Sequence, residues 1–207
     1  MNKRRLSNST LTRHDLQIIT DWIEPNSRVM DLGCGNGNLL KHLQKDKGVS
    51  GYGIELDPAL VAQSIDNGIN VIQTNLDHGL GHFDSGSFDY VILSLTLQAI
   101  RNPKALLEEM LRVGKQGIVT FPNFAYWHNR WQIAIGGNMP VSEELPYKWY
   151  DTPNIHLCTL KDFHGLCEQL GFTIESSIAV KQNGKQSMTL KLFPNLFGEI
   201  ALCRFSD

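Results

Sequence analysis

The residues best placed to do chemistry lie in the stretch VMDLGCGNGN, residues 29–38. Gly33, Gly35 and Gly37 fall where an apolar run gives way to helical periodicity, so they mark a strand-to-helix junction. Glycines there tighten the turn and let a ligand approach the backbone. Asp31 ends the strand just before the loop, where its carboxylate can meet a cationic group. Glu55 closes the next apolar run, GYGIEL, 24 residues beyond Asp31. That is the spacing at which an acid reaches ribose hydroxyls. A dinucleotide loop would follow GxGxxG and seat a pyrophosphate on the helix N-terminus. Here the pattern is GxGxG with Asn38 in the third place, and a carboxylate before the loop repels a pyrophosphate.

S-adenosylmethionine has no phosphate, a cationic amino group and a ribose, and it fits this charge layout better. Methyl transfer from its sulfonium needs mainly alignment, plus a base if the acceptor must lose a proton. The base candidates are His156, at the end of the WYDTPNIH turn, and His128 in YWHNRWQ. His156 has capping or core hydrogen bonding as its competing role. His128 points away from the face shared by Trp127 and Trp131, which favours a solvated side chain. Gln98 either faces a substrate or starts a helix. The fourth strand runs into SLTLQAI, not the Asn-Pro-Pro-aromatic sequence that holds a planar NH2 group, and FPNF after the fifth strand reads as a Pro-turn. Cys34, between two glycines, is small enough to pack beneath the loop; the alternative is a reactive thiol. His156, Cys158, His164 and Cys167 superficially suggest zinc. However, TLKDFHGLCEQLG is an amphipathic helix whose stripe is Phe163, Leu166, Cys167 and Leu170, so no metal is expected.

The elements that position these residues alternate in type. Strands are expected at RVMDL, GYGIEL, INVIQTN, FDYVILSL, GIVTFP, FTIESSIAV and GEIALCRF. Helices are expected at TRHDLQIITDWI, NGNLLKHLQ, DPALVAQSIDNG, NPKALLEEMLRVGK and TLKDFHGLCEQLG. The pattern implies a single α/β domain over 1–207 with a doubly wound, mostly parallel Rossmann-like sheet of about seven strands. Ligands bind such sheets at the carboxyl ends of the strands, near the topological switch point. An aromatic-rich insert or cap occupies about 122–156, with three of the four tryptophans. AYWHNRWQIAIGG within it reads as a short helix closed by Gly136 and Gly137. Trp131 is expected in a satellite core under this loop. Trp127, Trp149 and Tyr150 are expected to cover the cofactor pocket or to meet a partner.

Composition narrows the field. The chain has 207 residues, 42% hydrophobic and 19% charged, which suits a folded globular domain. With 19 basic and 21 acidic residues there is no electrostatic footprint for nucleic acid. The N-terminus lacks an apolar run behind its basic residues, and YVILSLTLQAI is too short to span a bilayer. Four cysteines without CxxC spacing fit a reduced, cytoplasmic setting.

DLGCGNG, GIELD and FDYVILSLTLQ resemble the successive motifs of class I S-adenosylmethionine-dependent methyltransferases. That resemblance implies that Asp31, Gly33, Cys34 and Gly35 flank the methionine moiety. It further implies that Glu55 binds the ribose and that Leu56 lies beside the adenine. TNLD is similar to the family's adenine-contacting turn, which puts Asn75 and Leu76 at the base, with Ser94 completing the set. The usual residue at the Asn75 position is Asp; Asp77 nearby either substitutes or starts the next turn. A closer likeness is carried by FPNF, SLTLQA and LPYKWYDTPNIH, and it extends from about Val29 to the last strand. There the chain resembles MetW, the methionine-biosynthesis branch of the fold. This implies S-adenosylmethionine or S-adenosylhomocysteine as cofactor and homoserine O-acyltransferase as the partner supported by contact. The competing expectation is an active small-molecule methyltransferase with 122–156 as a lid.

Overall fold

Seven short apolar runs become one sheet in the computed structural model, which describes residues 14–181 and 187–207. The strands are β1 (Arg28–Leu32), β2 (Ser50–Glu55), β3 (Val71–Gln73), β4 (Phe88–Ser94), β5 (Gly114–Pro122), β6 (Thr173–Val180) and β7 (Ile200–Ser206). They lie in the order β3-β2-β1-β4-β5-β7-β6. Pairs from β3 to β5 are parallel, whereas β7 runs antiparallel to both β5 and β6. The helices are α1 (His14–Trp22), α2 (Asn38–Lys47), α3 (Pro58–Asp66), α4 (Pro103–Val113), α5 (Trp127–Ala134), α6 (Leu160–Leu170), α7 (Met188–Leu192) and α8 (Pro194–Phe197). This is the doubly wound, mostly parallel α/β architecture that the alternation of elements implies.

Parallel neighbours need crossover connections, and these place helices on both faces of the sheet. β4 shows the consequence. Tyr90 and Ile92 enter the core formed with Ile19 of α1 and Leu40 and Leu43 of α2. Val91 and Leu93 enter the opposite core, with Leu107 and Met110 of α4 and Phe163 of α6. Side chains alternate with period two, yet both sets are buried, which is why FDYVILSL reads as an almost unbroken apolar run. On β5, a Cβ at Gly117 would come within 2.4 Å of the Phe205 ring. The missing side chain lets that fully buried ring close onto the strand.

Some boundaries differ from those the sequence suggests. The periodicity of NPKALLEEMLRVGK predicts a helix to Lys115, but α4 stops at Val113 and β5 begins at Gly114. Gly114 and Gln116 pair with Phe88 and Tyr90, so the sheet ladder overrides the local helical preference. β3 covers three residues of INVIQTN. Ile69 is held by the carbonyl of Ser64 at the end of α3, and Asn75 caps a 3-10 turn at Leu76–His78. α7 and α8 are too short for periodicity to register.

The aromatic segment leaves the sheet at the carboxyl end of β5. α5 closes where the glycines predict: Gly137 has φ +64° and its N–H reaches the Ile133 carbonyl at 3.1 Å. Trp131 is a correction. It is 60% exposed instead of lying in a satellite core, and Trp127 on the same face is 44% exposed. The buried residue of α5 is Asn129. The helix therefore sits with its aromatic face outward.

Candidate functional site

The sequence of strands runs outward from β1 to β3 and then resumes on the other side at β4, so the switch point lies between the carboxyl ends of β1 and β4. The glycine loop falls there. Gly33 and Cys34 both donate to the Ile54 carbonyl, at 2.7 and 3.0 Å, which folds the loop over the end of β2. A Cβ on Gly33 would come within 2.7 Å of Thr96 Oγ1, so the loop closes tightly against the segment after β4. A Cβ on Gly35, at φ +59°, would meet nothing within 4 Å. Gly35 thus presents bare backbone to open space.

Glu55 ends β2 and reaches back to this loop. Its Oε2 accepts the Gly35 N–H at 2.9 Å, and its Oε1 accepts those of Leu56 at 2.8 Å and Asp57 at 2.9 Å. A carboxylate offers about four lone-pair positions. Three are occupied by backbone amides, and Oε2 retains one. Asp31 is buried beneath the loop. Burial, with the charges of Asp31 and then Glu55, pushes the Cys34 thiol up to about 12 against a hydrogen bond shared with Ser64. A thiol raised that far stays protonated near neutral pH, which suits packing beneath the loop. Gly53 makes room for it, since a Cβ there would lie 2.4 Å from its sulfur.

The remaining expected residues fall into two groups. Leu56 is exposed at the loop's rim, and Leu76 is buried in the core. Asn75 Oδ1 caps the 3-10 turn by accepting the Asp77 N–H at 2.9 Å. Asp77 is turned toward Arg101 instead, accepting its N–H at 2.9 Å beside the guanidinium. Ser94 Oγ lies 3.2 Å from Thr120 Oγ1. The Gln98 carbonyl accepts the N–H groups of Ile155 and His156, at 2.8 and 3.0 Å, while its buried Oε1 has no hydrogen-bond partner. Its Nε2 donates to the carbonyl of Leu95, a residue held at φ +50°. His156 is exposed, with Nε2 3.3 Å from the Arg101 carbonyl. Both residues tie the returning aromatic segment to the loop after β4, and His128 is exposed against the Trp127 ring. Asn123 of FPNF is a cross-link: its Nδ2 donates to Asn195 and Gly198, and its Oδ1 accepts from Ala125 and Leu160.

Sequence spacing gave no sign of Ser64. It is fully buried on α3, and its hydroxyl donates to the Gly35 carbonyl at 2.9 Å, bracing the loop from behind. A lone polar residue on the inward side of LVAQSID was the only available signal.

Among the described residues no group of three or more His, Cys, Asp or Glu is arranged to hold a metal ion. Cys167 is buried in the core, and His164 Nε2 meets Ser177 Oγ at 2.7 Å. Burial lowers the His164 pKa below its usual 6.5. The unfolded chain then takes up this proton at a higher pH than the folded one, so stability should fall as the pH drops below about 6.5 and level off once the folded imidazole is also charged. Urea titrations between about pH 7.5 and about 5.5 should show that slope in the parent and a shallower one in His164→Gln.

This strand order, with β7 antiparallel, defines the class I methyltransferase fold. The S-adenosylmethionine-dependent methyltransferase of Mesorhizobium loti superposes with a TM-score of 0.68 at 19% identity, covering 93% of this chain and 96% of that one. The [4+2]-cyclase SpnF superposes at 0.65 with 16% identity, over 93% and 80%. One architecture thus carries different chemistries. The chain belongs to the family described as methionine biosynthesis protein MetW, whose profile matches residues 13–205. A relative from Rhodopirellula baltica, the bifunctional methionine biosynthesis protein MetXA/MetW, is 36% identical over 200 residues, which cover 92% of this chain and 32% of the relative. The chain thus spans about a third of that relative's length. Among the described residues no helix is long and apolar enough to cross a membrane.

Proposed function

We propose that this chain binds S-adenosylmethionine, or its product S-adenosylhomocysteine, at the glycine loop and supports homoserine O-acyltransferase through direct association. The observation that carries the association is the Rhodopirellula baltica relative, which joins MetXA and MetW in one polypeptide. We read its MetXA portion as the acyltransferase. Fusion holds two partners at high effective concentration, an arrangement that suits modules working in contact. Exposed aromatics of the segment after β5 supply side chains of the right kind: Trp131 on α5 and Trp149 and Tyr150 in the loop that follows are 60%, 73% and 66% exposed. Tryptophan and tyrosine dominate the energetics of interfaces.

The loop's residues fit the cofactor. A Cβ on Gly35 would meet nothing, and Asp31 and Glu55 add to burial in raising the Cys34 thiol. In this reading Asp31 faces the cationic amino acid end, Gly33, Cys34 and Gly35 line it, and Glu55 offers Oε2 to the ribose. Leu56, Asn75, Leu76 and Ser94 complete the enclosure. When bound, the cofactor supplies an electrophilic methyl group; the chain's own residues bind and orient it.

Co-purification with homoserine O-acyltransferase, together with a change in the acyltransferase's activity or solubility, tests the proposal. Absence of association at micromolar concentrations overturns it. The competing methyltransferase reading is separated by turnover of labelled cofactor in a metabolite extract. Silence there, with cofactor binding intact, supports association as the function.

A further inference from the structure

A second cavity, of about 300 Å³, lies beside the carboxyl end of β5. Tyr126, Asn129, Glu143, Glu144 and Glu199 line it, and its lining contains no lysine or arginine. Each acid is held by the fold. Glu199 precedes β7; its carbonyl accepts the Asn123 N–H and its own N–H reaches Val180, fixing it at the end of the sheet ladder. Its side chain hydrogen-bonds the Tyr126 hydroxyl, whose pKa is raised by burial and by that carboxylate. Glu143 and Glu144 ride on a turn in which Ser142 and Leu145 bond each other, with Leu145 buried as its anchor.

The independent observation is Asn129. It is 3% exposed, and its Oδ1 has no hydrogen-bond partner. Its Nδ2 makes only two long contacts, at 3.5 Å, to the carbonyls of Asn123 and Phe124. An unsatisfied buried carbonyl is costly, so one kept in a cavity wall points to a donor that occupies the cavity. The side chain's terminal torsion is soft, and a modest rotation offers that oxygen to such a donor. Three carboxylates lining one cavity also favour an occupant of positive charge over a neutral or anionic one.

We propose that this cavity binds the primary ammonium group of a small organic amine. An ammonium has three donors and no acceptor, which matches the Glu144 and Glu199 carboxylates and the Asn129 carbonyl. The volume accommodates a ligand of a few carbon atoms. Adjacent strands lie about 4.8 Å apart, so β5 and β1, separated only by β4, put this cavity about 10 Å sideways from the glycine loop on the same sheet edge.

The probe is n-butylammonium, with n-butanol and butyrate as neutral and anionic counterparts of equal length. In the full chain, butylammonium should produce saturable shifts of the Asn129 side-chain amide in a ¹H–¹⁵N spectrum, and the two counterparts should not. Glu144→Gln should weaken binding by about tenfold or more, and Glu199→Gln should do likewise, each charge-assisted bond carrying at least that factor. Glu144 is partly exposed, and an unchanged thermal melt of its variant keeps the test readable. Equal shifts from butanol, no saturable shift, or unchanged affinity in Glu144→Gln would each overturn the assignment. Affinity for S-adenosylmethionine, measured alongside, reports on the glycine loop separately and has no bearing on the amine site.

Discussion

Glu55→Ala should weaken the proposed binding of S-adenosylmethionine by about tenfold or more while leaving the chain folded. The carboxylate has two jobs at once. It holds the Gly35, Leu56 and Asp57 amides in place, and in the proposed complex it accepts from the ribose. The one acceptor position left on Oε2 makes one charge-assisted hydrogen bond, at about 1.5–3 kcal/mol, or about tenfold to a hundredfold in Kd. The loop will also lose its preorganisation, which weakens binding further. Stability suffers less, because Glu55 is only partly buried and water can satisfy the released amides. Calorimetry should therefore show a Kd raised at least about tenfold beside an almost unchanged circular-dichroism melt. A Kd within threefold of the parent would remove Glu55 from the site.

The second large effect concerns the partner. The double variant Trp149→Ala/Tyr150→Ala should lower affinity for homoserine O-acyltransferase by at least two orders of magnitude and leave cofactor affinity unchanged. Both rings are largely exposed, and they pack edge-on against each other with centroids 5.6 Å apart. Truncating exposed side chains ordinarily changes folding stability by no more than about 0.5 kcal/mol. Anchors of this type at the centre of an interface are worth about 2 kcal/mol or more each. A loss of association without a loss of stability is thus the diagnostic pair, read by surface-immobilised acyltransferase and by thermal unfolding. Undiminished association would place the contact elsewhere on the chain.

The fold was legible because burial on two faces leaves a plain trace. FDYVILSL and GIVTFP are apolar nearly throughout, and each becomes a central strand. The loop was legible for a related reason: its glycines and Glu55 are tied to a backbone geometry that few other residues allow. The aromatic helix was misread where tertiary context decides. Trp127 and Trp131, four residues apart, make the stripe that ordinarily faces a core. Here the inward position belongs to Asn129, whose surroundings are two backbone carbonyls and a cavity. No periodicity marks an inverted helix, and no spacing links Asn129 to Glu199, 70 residues away in the chain. Gln98 was equally opaque, since the carbonyl that ties it to the returning segment is one any residue possesses.

The placement of β7 has a consequence for how the protein is made. β7 lies between β5 and β6, and it is the last of the seven strands to be synthesised. The β1-to-β5 portion assembles from neighbouring βαβ units, whose contacts are comparatively local. Until residues 200–206 have emerged from the ribosome, β5 and β6 each present an unpaired edge, and on β5 that edge carries Ile118, Val119 and Phe121. Open apolar edges are where nascent chains pair with the wrong neighbour. The seven residues of β7 close both of these edges at once, in a single late pairing step.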